Sequence, residues 1–256
     1  MRAAVVVLGQ ELRDLWLGGR ALLLSLAFSL LLSVLAYLVA TNRALNFLEQ
    51  RETVNLILQV AVAVGALLAL VTAADAVSGE RERRTLESLL LTPASRLEII
   101  SAKLFASLSL WVGAFAITIA YVWFLGRGVG IAGDALASGI VVGSLLALFL
   151  ASLGLLISVF AASNRVSLSL SLFVLLALFA PTQFPPGATS GWAGDLLLRI
   201  NPLTAGDHYI GRIVVNGRSW NEDVAWLASP LIAAAVFTAL ALAVGARRLT
   251  LSGGAR

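Results

Sequence analysis

The stretch GIVVGSLLALFLASLGLLISVFA, residues 139–161, contains no charged residue. As a helix rising about 1.5 Å per residue, it is longer than the roughly 30 Å hydrocarbon core of a bilayer. Since lipid is itself an apolar solvent, such a run predicts a membrane-spanning helix. Five other stretches are similar: residues 21–40, 54–74, 104–125, 166–180 and 224–245.

The composition favours the same fold. Of the 256 residues, 59% are hydrophobic and 12% are charged, whereas about a quarter of a soluble domain is charged. A water-soluble protein of this composition would expose large apolar patches. We therefore predict an all-α membrane protein with six transmembrane helices, forming a single domain over residues 1–256.

The distribution of basic residues predicts the orientation of the chain. Six spans place both termini on one side of the membrane, and that side carries about twice as many arginine and lysine residues as the other. Cytoplasmic loops carry such an excess, so both termini are predicted to be cytoplasmic.

Residues 1–20 precede the first span. In this stretch apolar positions recur at spacings of three and four residues, with polar residues between them. This pattern favours an amphipathic elbow helix lying in the membrane interface, and Gly18 and Gly19 would allow the chain to turn into the membrane. The alternative is a simple cytoplasmic extension of the first helix.

Several chemistries find no support in the sequence. With no cysteine and one histidine, His208, the chain offers no cysteine nucleophile and no evident metal site. We find no phosphate-binding loop and no catalytic set of residues. The net charge of +4 is distributed between apolar spans, which argues against nucleic acid as a partner.

The most informative segment is DAVSGERERRTLESLLLTPASRLEIISAK, residues 75–103, between the second and third spans. Ser78 and Gly79 are predicted to break the second span, and Pro93 to end a short amphipathic helix. Ser95 is a candidate N-cap for a helix that continues into the third span. The segment therefore predicts a cytoplasmic helical hairpin, which either docks on a soluble partner or lies against anionic headgroups.

This segment resembles the signature of permease subunits of the ABC transporter type-2 superfamily. The resemblance implies two permease copies or homologues, paired as a dimer above cytoplasmic ABC ATPase subunits that bind ATP and Mg²⁺. It also implies that the segment is the ATPase-coupling element, with a second contact in the loop between the fourth and fifth spans. The implied ATPase contacts are Glu80, Arg81, Glu82, Arg83, Arg84, Thr85, Glu87, Pro93, Asn164 and Arg165. For Asn164 and Arg165, a turn with an inner-surface anchor is an equally good interpretation.

The function implied by the resemblance is ATP-driven export across a prokaryotic inner membrane. The alternatives are a non-transporting scaffold that acts on an external partner, an ATP-independent carrier and, least favoured, an intramembrane enzyme. The external residues 181–223 would form either small helices that close an outer gate or an ordinary loop. The sequence does not identify the transported substrate.

Two further patterns concern the spans. Small residues of the fourth span, including Gly143, Gly154 and Ser158, would permit close helix packing, either within one subunit or across a dimer. The resemblance also implies that the second and fifth helices line the passage of the dimer, where Ser167, Ser169 and Ser171 of the fifth span would form a weakly polar surface compatible with amphipathic or lipid-like cargo.

Overall fold

The structure is a computed structural model that describes residues 2–41, 47–183 and 191–249. Within these ranges the chain is almost entirely helical. The α-helices are α1 (Arg2–Leu17), α2 (Arg20–Ala40), α3 (Phe47–Asp75), α4 (Ser78–Arg83), α5 (Leu86–Leu90), α6 (Arg96–Gly126), α7 (Ala132–Phe160), α8 (Asn164–Phe179), α9 (Trp192–Ile200), α10 (Pro202–Val214) and α11 (Ala228–Arg248).

The six predicted spans correspond to α2, α3, α6, α7, α8 and α11. In the described residues, six helical stretches are long and apolar enough to cross a membrane. The predicted all-α membrane fold with six spans is therefore confirmed. The fifth span ends at Phe179 and continues as a 3₁₀ turn over Ala180–Gln183, because proline at position 181 cannot extend an α-helix.

Helix α7 lies at the centre of the bundle and packs against α3, α6 and α11. Its small residues permit this packing. A Cβ atom placed on Gly154 would lie 2.6 Å from the carbonyl oxygen of Leu70 on α3, and one on Gly139 would lie 2.6 Å from Leu58. The close approach predicted for the fourth span is therefore made inside the subunit.

Helices α2, α8 and α11 lie at the periphery and are mostly exposed. Large apolar side chains cover their outer surfaces, such as Leu26 on α2 at 71% exposed and Phe173 on α8 at 69% exposed. Surfaces of this kind suit lipid or another membrane helix, since neither requires polar groups.

The predicted N-terminal helix is present as α1 and is separated from α2 by a turn at Gly18 and Gly19. Gly19 has φ 84°, which a residue with a side chain rarely adopts. Helix α1 packs along α6, where the Trp16 indole Nε1 donates a hydrogen bond to Ser109 Oγ at 2.9 Å. It is therefore not a continuous extension of α2, and its location in the membrane interface stays a prediction.

The segment 181–223 forms two short helices in its described part, while residues 184–190 lie outside the described residues. Helix α10 runs antiparallel to α3: the Gln59 side chain reaches the carbonyl oxygen of Asp207 at 3.5 Å, and that of Arg51 reaches the carbonyl oxygen of Val215 at 3.0 Å. The segment is thus packed on the bundle, at the end where α3 begins.

Candidate coupling site between α3 and α6

The second span, α3, ends at Asp75, one residue beyond the predicted boundary at residue 74. The chain turns at Ala76 and Val77, and both Ser78 and Gly79 are buried inside α4. The predicted break at Ser78 and Gly79 is therefore wrong by two residues. The turn at Ala76 and Val77 is held by a neighbouring helix: Ser158 Oγ on α7 accepts hydrogen bonds from the backbone N–H of Val77 at 3.1 Å and of Ser78 at 2.9 Å.

Gly79 is needed for space rather than for helix breaking. A Cβ atom at this position would overlap the carboxylate of Asp75 and lie 2.9 Å from the guanidinium of Arg83. The absence of a side chain thus allows Asp75, which is 6% exposed, to fold back over the first turn of α4.

Removing the Ser158 hydroxyl should destabilise this turn. In Ser158→Ala, two buried N–H groups lose their acceptor, and we expect a loss of about 1–3 kcal/mol in the free energy of unfolding. The matched control is Ser138→Ala on the same helix. The buried Ser138 hydroxyl bonds only carbonyl groups of its own helix, so this change should cost less than about 1 kcal/mol. Thermal unfolding in lipid nanodiscs measures both, and equal losses would contradict the assignment.

The first charged residue of α4, Glu80, points into the protein. Its Oε1 accepts a hydrogen bond from Lys103 Nζ at 2.5 Å, and the same ammonium group contacts Glu11 Oε1 on α1 at 2.6 Å. Lys103 is the only lysine of the chain and is 1% exposed. A buried ammonium requires such partners, because an unpaired charge is costly away from water.

The next two charged residues contact α7 and α8. The Arg81 guanidinium donates to the carbonyl oxygens of Ala161 at 2.6 Å and Val159 at 3.2 Å. These carbonyls lie at the C-terminal end of α7, where a cation is favourable. Glu82 Oε2 accepts a hydrogen bond from the backbone N–H of Asn164 at 3.1 Å, the first residue of α8, where an anion is favourable.

Arg83, the last residue of α4, contacts the end of α3. Its Nη2 lies 3.5 Å from Asp75 Oδ2, and Arg20 at the start of α2 donates to the same oxygen at 2.8 Å. Four consecutive residues, Glu80 to Arg83, therefore contact α6, α7, α8 and α3 in turn, and through Lys103 and Asp75 they also connect to α1 and α2. The short helix α4 is thereby bound to six helices.

The remaining predicted contact residues apart from Asn164 are exposed, as are Arg81, Glu82 and Arg83. Arg84 has φ 60° and marks the end of α4, where the chain turns toward α5. The remaining exposed set predicted to contact the ATPase is Arg84, Thr85, Glu87, Pro93 and Arg165. Asn164 is half-buried, and its side-chain oxygen accepts a hydrogen bond from Ser78 Oγ at 3.2 Å. The inward contacts of Glu80 to Arg83 were missed from the sequence, since their partners are distant along the chain.

Helix α6 begins as predicted. Ser95 Oγ accepts a hydrogen bond from the backbone N–H of Glu98, and the Glu98 carboxylate accepts one from the backbone N–H of Ser95 at 2.9 Å. This reciprocal capping box fixes the start of the helix. A cavity of about 480 Å³ lies between α1 and the α4–α5 segment (residues 78–90), and its lining includes Asp14, Ser88 and Lys103.

The suggested serine surface along a passage is wrong for two of its three residues. Ser167 is buried and donates a hydrogen bond to the carbonyl oxygen of Ala74 on α3 at 2.7 Å, and Ser171 is also buried. The two are four residues apart and share the helix face that packs inside the subunit. Only Ser169 is exposed.

Two ionisable residues of α10 have shifted pKa values. Burial raises the pKa of Asp207 to about 7. Partial burial and the neighbouring Arg212 lower the pKa of His208, whose ring lies 4.0 Å from that of Trp226. Among the described residues, no three His, Asp or Glu side chains are close enough together to hold a metal ion.

Together, the fold and the site define a polytopic helical membrane subunit with a short segment between two spans that is bound to most of the bundle. A family model for ABC-2 family transporter proteins matches residues 5–250. The chain therefore belongs to the ABC-2 transporter family, which confirms the resemblance noted in the sequence. Membership implies an ABC permease subunit, a membrane transport protein that is not itself catalytic and associates with an ABC ATPase. A search of curated proteins found no match.

Proposed function

We propose that this chain is the permease subunit of an ATP-driven exporter and that its α4–α5 segment receives the movement of a separate ATPase subunit. The observation that carries the proposal is the arrangement around α4. Exposed residues from Arg84 to Pro93 provide a docking surface. Glu80 to Arg83 contact four helices directly and connect to two more through Lys103 and Asp75.

This arrangement explains how a force on the surface would reach the spans. Only Ala76 and Val77 separate α4 from α3, and residues 91–95 join α5 to α6. A displacement of the α4–α5 segment therefore pulls on α3 and α6 through short connections. It also shifts the carboxylate and guanidinium groups that bond the ends of α7 and α8.

The remaining parts of the proposal concern partners and location. ATP and Mg²⁺ would bind to the ATPase, and two permease copies or homologues would form the complete transporter in an inner membrane, with both termini in the cytoplasm. The mostly exposed helices α2, α8 and α11 provide surface for a second copy. Export rather than import rests on the family resemblance.

The docking surface is tested by charge reversal. We expect Arg84→Glu with Glu87→Arg to abolish co-purification of the chain with the ATPase encoded nearest to it, because opposite charges fix the orientation of such contacts. The matched control is Arg247→Glu, a charge reversal at another exposed arginine in the last turn of α11. Wild type and control should retain the ATPase.

Two results would decide against the proposal. If the double variant retains the ATPase as well as wild type does, the docking surface lies elsewhere. If wild type retains no ATPase, the coupling function itself fails. Thermal unfolding of each variant without ATPase shows whether a loss of binding merely reflects unfolding.

A further inference from the structure

The ion-pair centre of Glu11, Lys103 and Glu80 connects three elements that are distant in the chain. One ammonium group holds a carboxylate of α1 at 2.6 Å and a carboxylate of α4 at 2.5 Å. Since Lys103 itself belongs to α6 and is 1% exposed, solvent ions cannot readily screen these contacts. The positions of α1 and α4 therefore depend on the same buried cation.

The surroundings of this centre leave room for movement. The cavity of about 480 Å³ separates α1 from the α4–α5 segment beside Lys103, so the two elements are not packed tightly together there. Glu80 Oε2 is buried without a hydrogen-bond partner among the described residues. Because an ammonium has three donors on a flexible stem, Lys103 can exchange one oxygen of Glu80 for the other while remaining bound to Glu11.

We propose that Lys103 is the positioning residue through which a displacement of α4 reaches α1, so that the N-terminal helix moves together with the α4–α5 segment. The inference rests on the proposed function, because the displacement originates in the ATPase. Under this proposal, α1 takes part in transmitting the movement of the ATPase, and the buried Lys103 passes that movement from α4 to α1 in addition to packing inside the protein.

A double-mutant cycle tests the link without any ATPase. Glu11→Gln, Glu80→Gln and the double variant are compared by thermal unfolding in lipid nanodiscs. If Lys103 couples the two carboxylates, the fall in Tm of the double variant differs from the sum of the single changes. In a Lys103→Met background the coupling energy should differ from the wild-type value, because only the direct repulsion between the two carboxylates then remains. Additivity in the wild-type background would overturn the proposal.

A distance measurement tests the movement. Because the chain contains no cysteine, spin labels can be attached to single cysteines placed at Gly9 on α1 and Gly128 beyond the end of α6, where an added Cβ meets no atom within 4 Å. In the wild-type complex, trapping the ATPase with ATP and vanadate should change the distance between the labels. In the triple variant Glu11→Gln, Glu80→Gln, Lys103→Met, which has no unpaired buried charge, the change should disappear.

A structural control separates transmission from simple loosening of α1. Trp16→Phe removes the hydrogen bond to Ser109 but keeps an aromatic ring, and it should preserve the change in distance. A triple variant that keeps the wild-type change would overturn the proposal, as would a wild-type complex that hydrolyses ATP with no change. If no complex forms, the proposed function fails together with the ATP-driven movement, whereas the double-mutant cycle still decides whether α1 and α4 are coupled.

Discussion

Lys103→Met should lower the free energy of unfolding by about 3–5 kcal/mol, since removing one partner of a buried ion pair leaves uncompensated charge. Methionine has similar volume and is unbranched, so packing changes little. The Glu11 and Glu80 carboxylates, both within 2.6 Å of the ammonium in the native protein, would then face each other without a cation. Thermal unfolding in nanodiscs should show a fall in Tm on the order of 10 °C.

The control for Lys103 is an exposed ion pair. Arg218 contacts Glu222 at 2.8 Å, and both side chains are about half exposed. Arg218→Met should therefore cost less than about 1 kcal/mol. If the two substitutions lower Tm equally, or if Lys103→Met leaves Tm unchanged, the buried centre does not stabilise the protein as described.

Gly154→Leu should prevent α3 and α7 from packing and cost more than about 3 kcal/mol, because overpacking a tight contact forces the backbone to shift. The atom that a Cβ would meet at 2.6 Å is the backbone carbonyl oxygen of Leu70, which cannot rotate away as a side chain can. Loss of the monodisperse peak in size-exclusion chromatography, or a large fall in Tm, would show this effect.

Gly133→Leu provides the matched control on the same helix. Gly133 is exposed, and an added Cβ there meets nothing within 4 Å. Because leucine favours a helix over glycine by up to about 1 kcal/mol, this variant should be as stable as wild type or more stable. A Gly154→Leu protein that unfolds no earlier than Gly133→Leu would contradict the close approach of α3 and α7.

The spans could be predicted from sequence because lipid imposes one solution on a long apolar run. Residues 139–161 contain no charge and are predicted to be helical, and Ser95 as a candidate N-cap marked the start of α6, where the structure adds its capping partner Glu98. These signals are local, so a single sequence carries them in full.

The internal contacts of α4 could not be predicted in the same way. Lys103 and Glu11 lie 92 positions apart, and Ser158 and Ser78 lie 80 apart, and no periodicity in the sequence relates them. The alternating charges from Glu80 to Arg83 suggested an exposed docking surface because charged residues are seldom buried without partners. Arg81, Glu82 and Arg83 are exposed, but the sequence does not show which groups of the other helices they bond. A single lysine at the edge of an apolar span was the one available signal of a buried ion pair.

The central claim is that this permease works as a complex with a separate ATPase, and native mass spectrometry of the wild-type chain co-expressed with that ATPase tests it most directly. The account predicts a complex of the ATPase with two permease subunits, either two copies of this chain or one copy and a homologue, and this complex hydrolyses ATP after reconstitution into nanodiscs. Recovery of the chain without any ATPase, under conditions in which both proteins are folded, would contradict it.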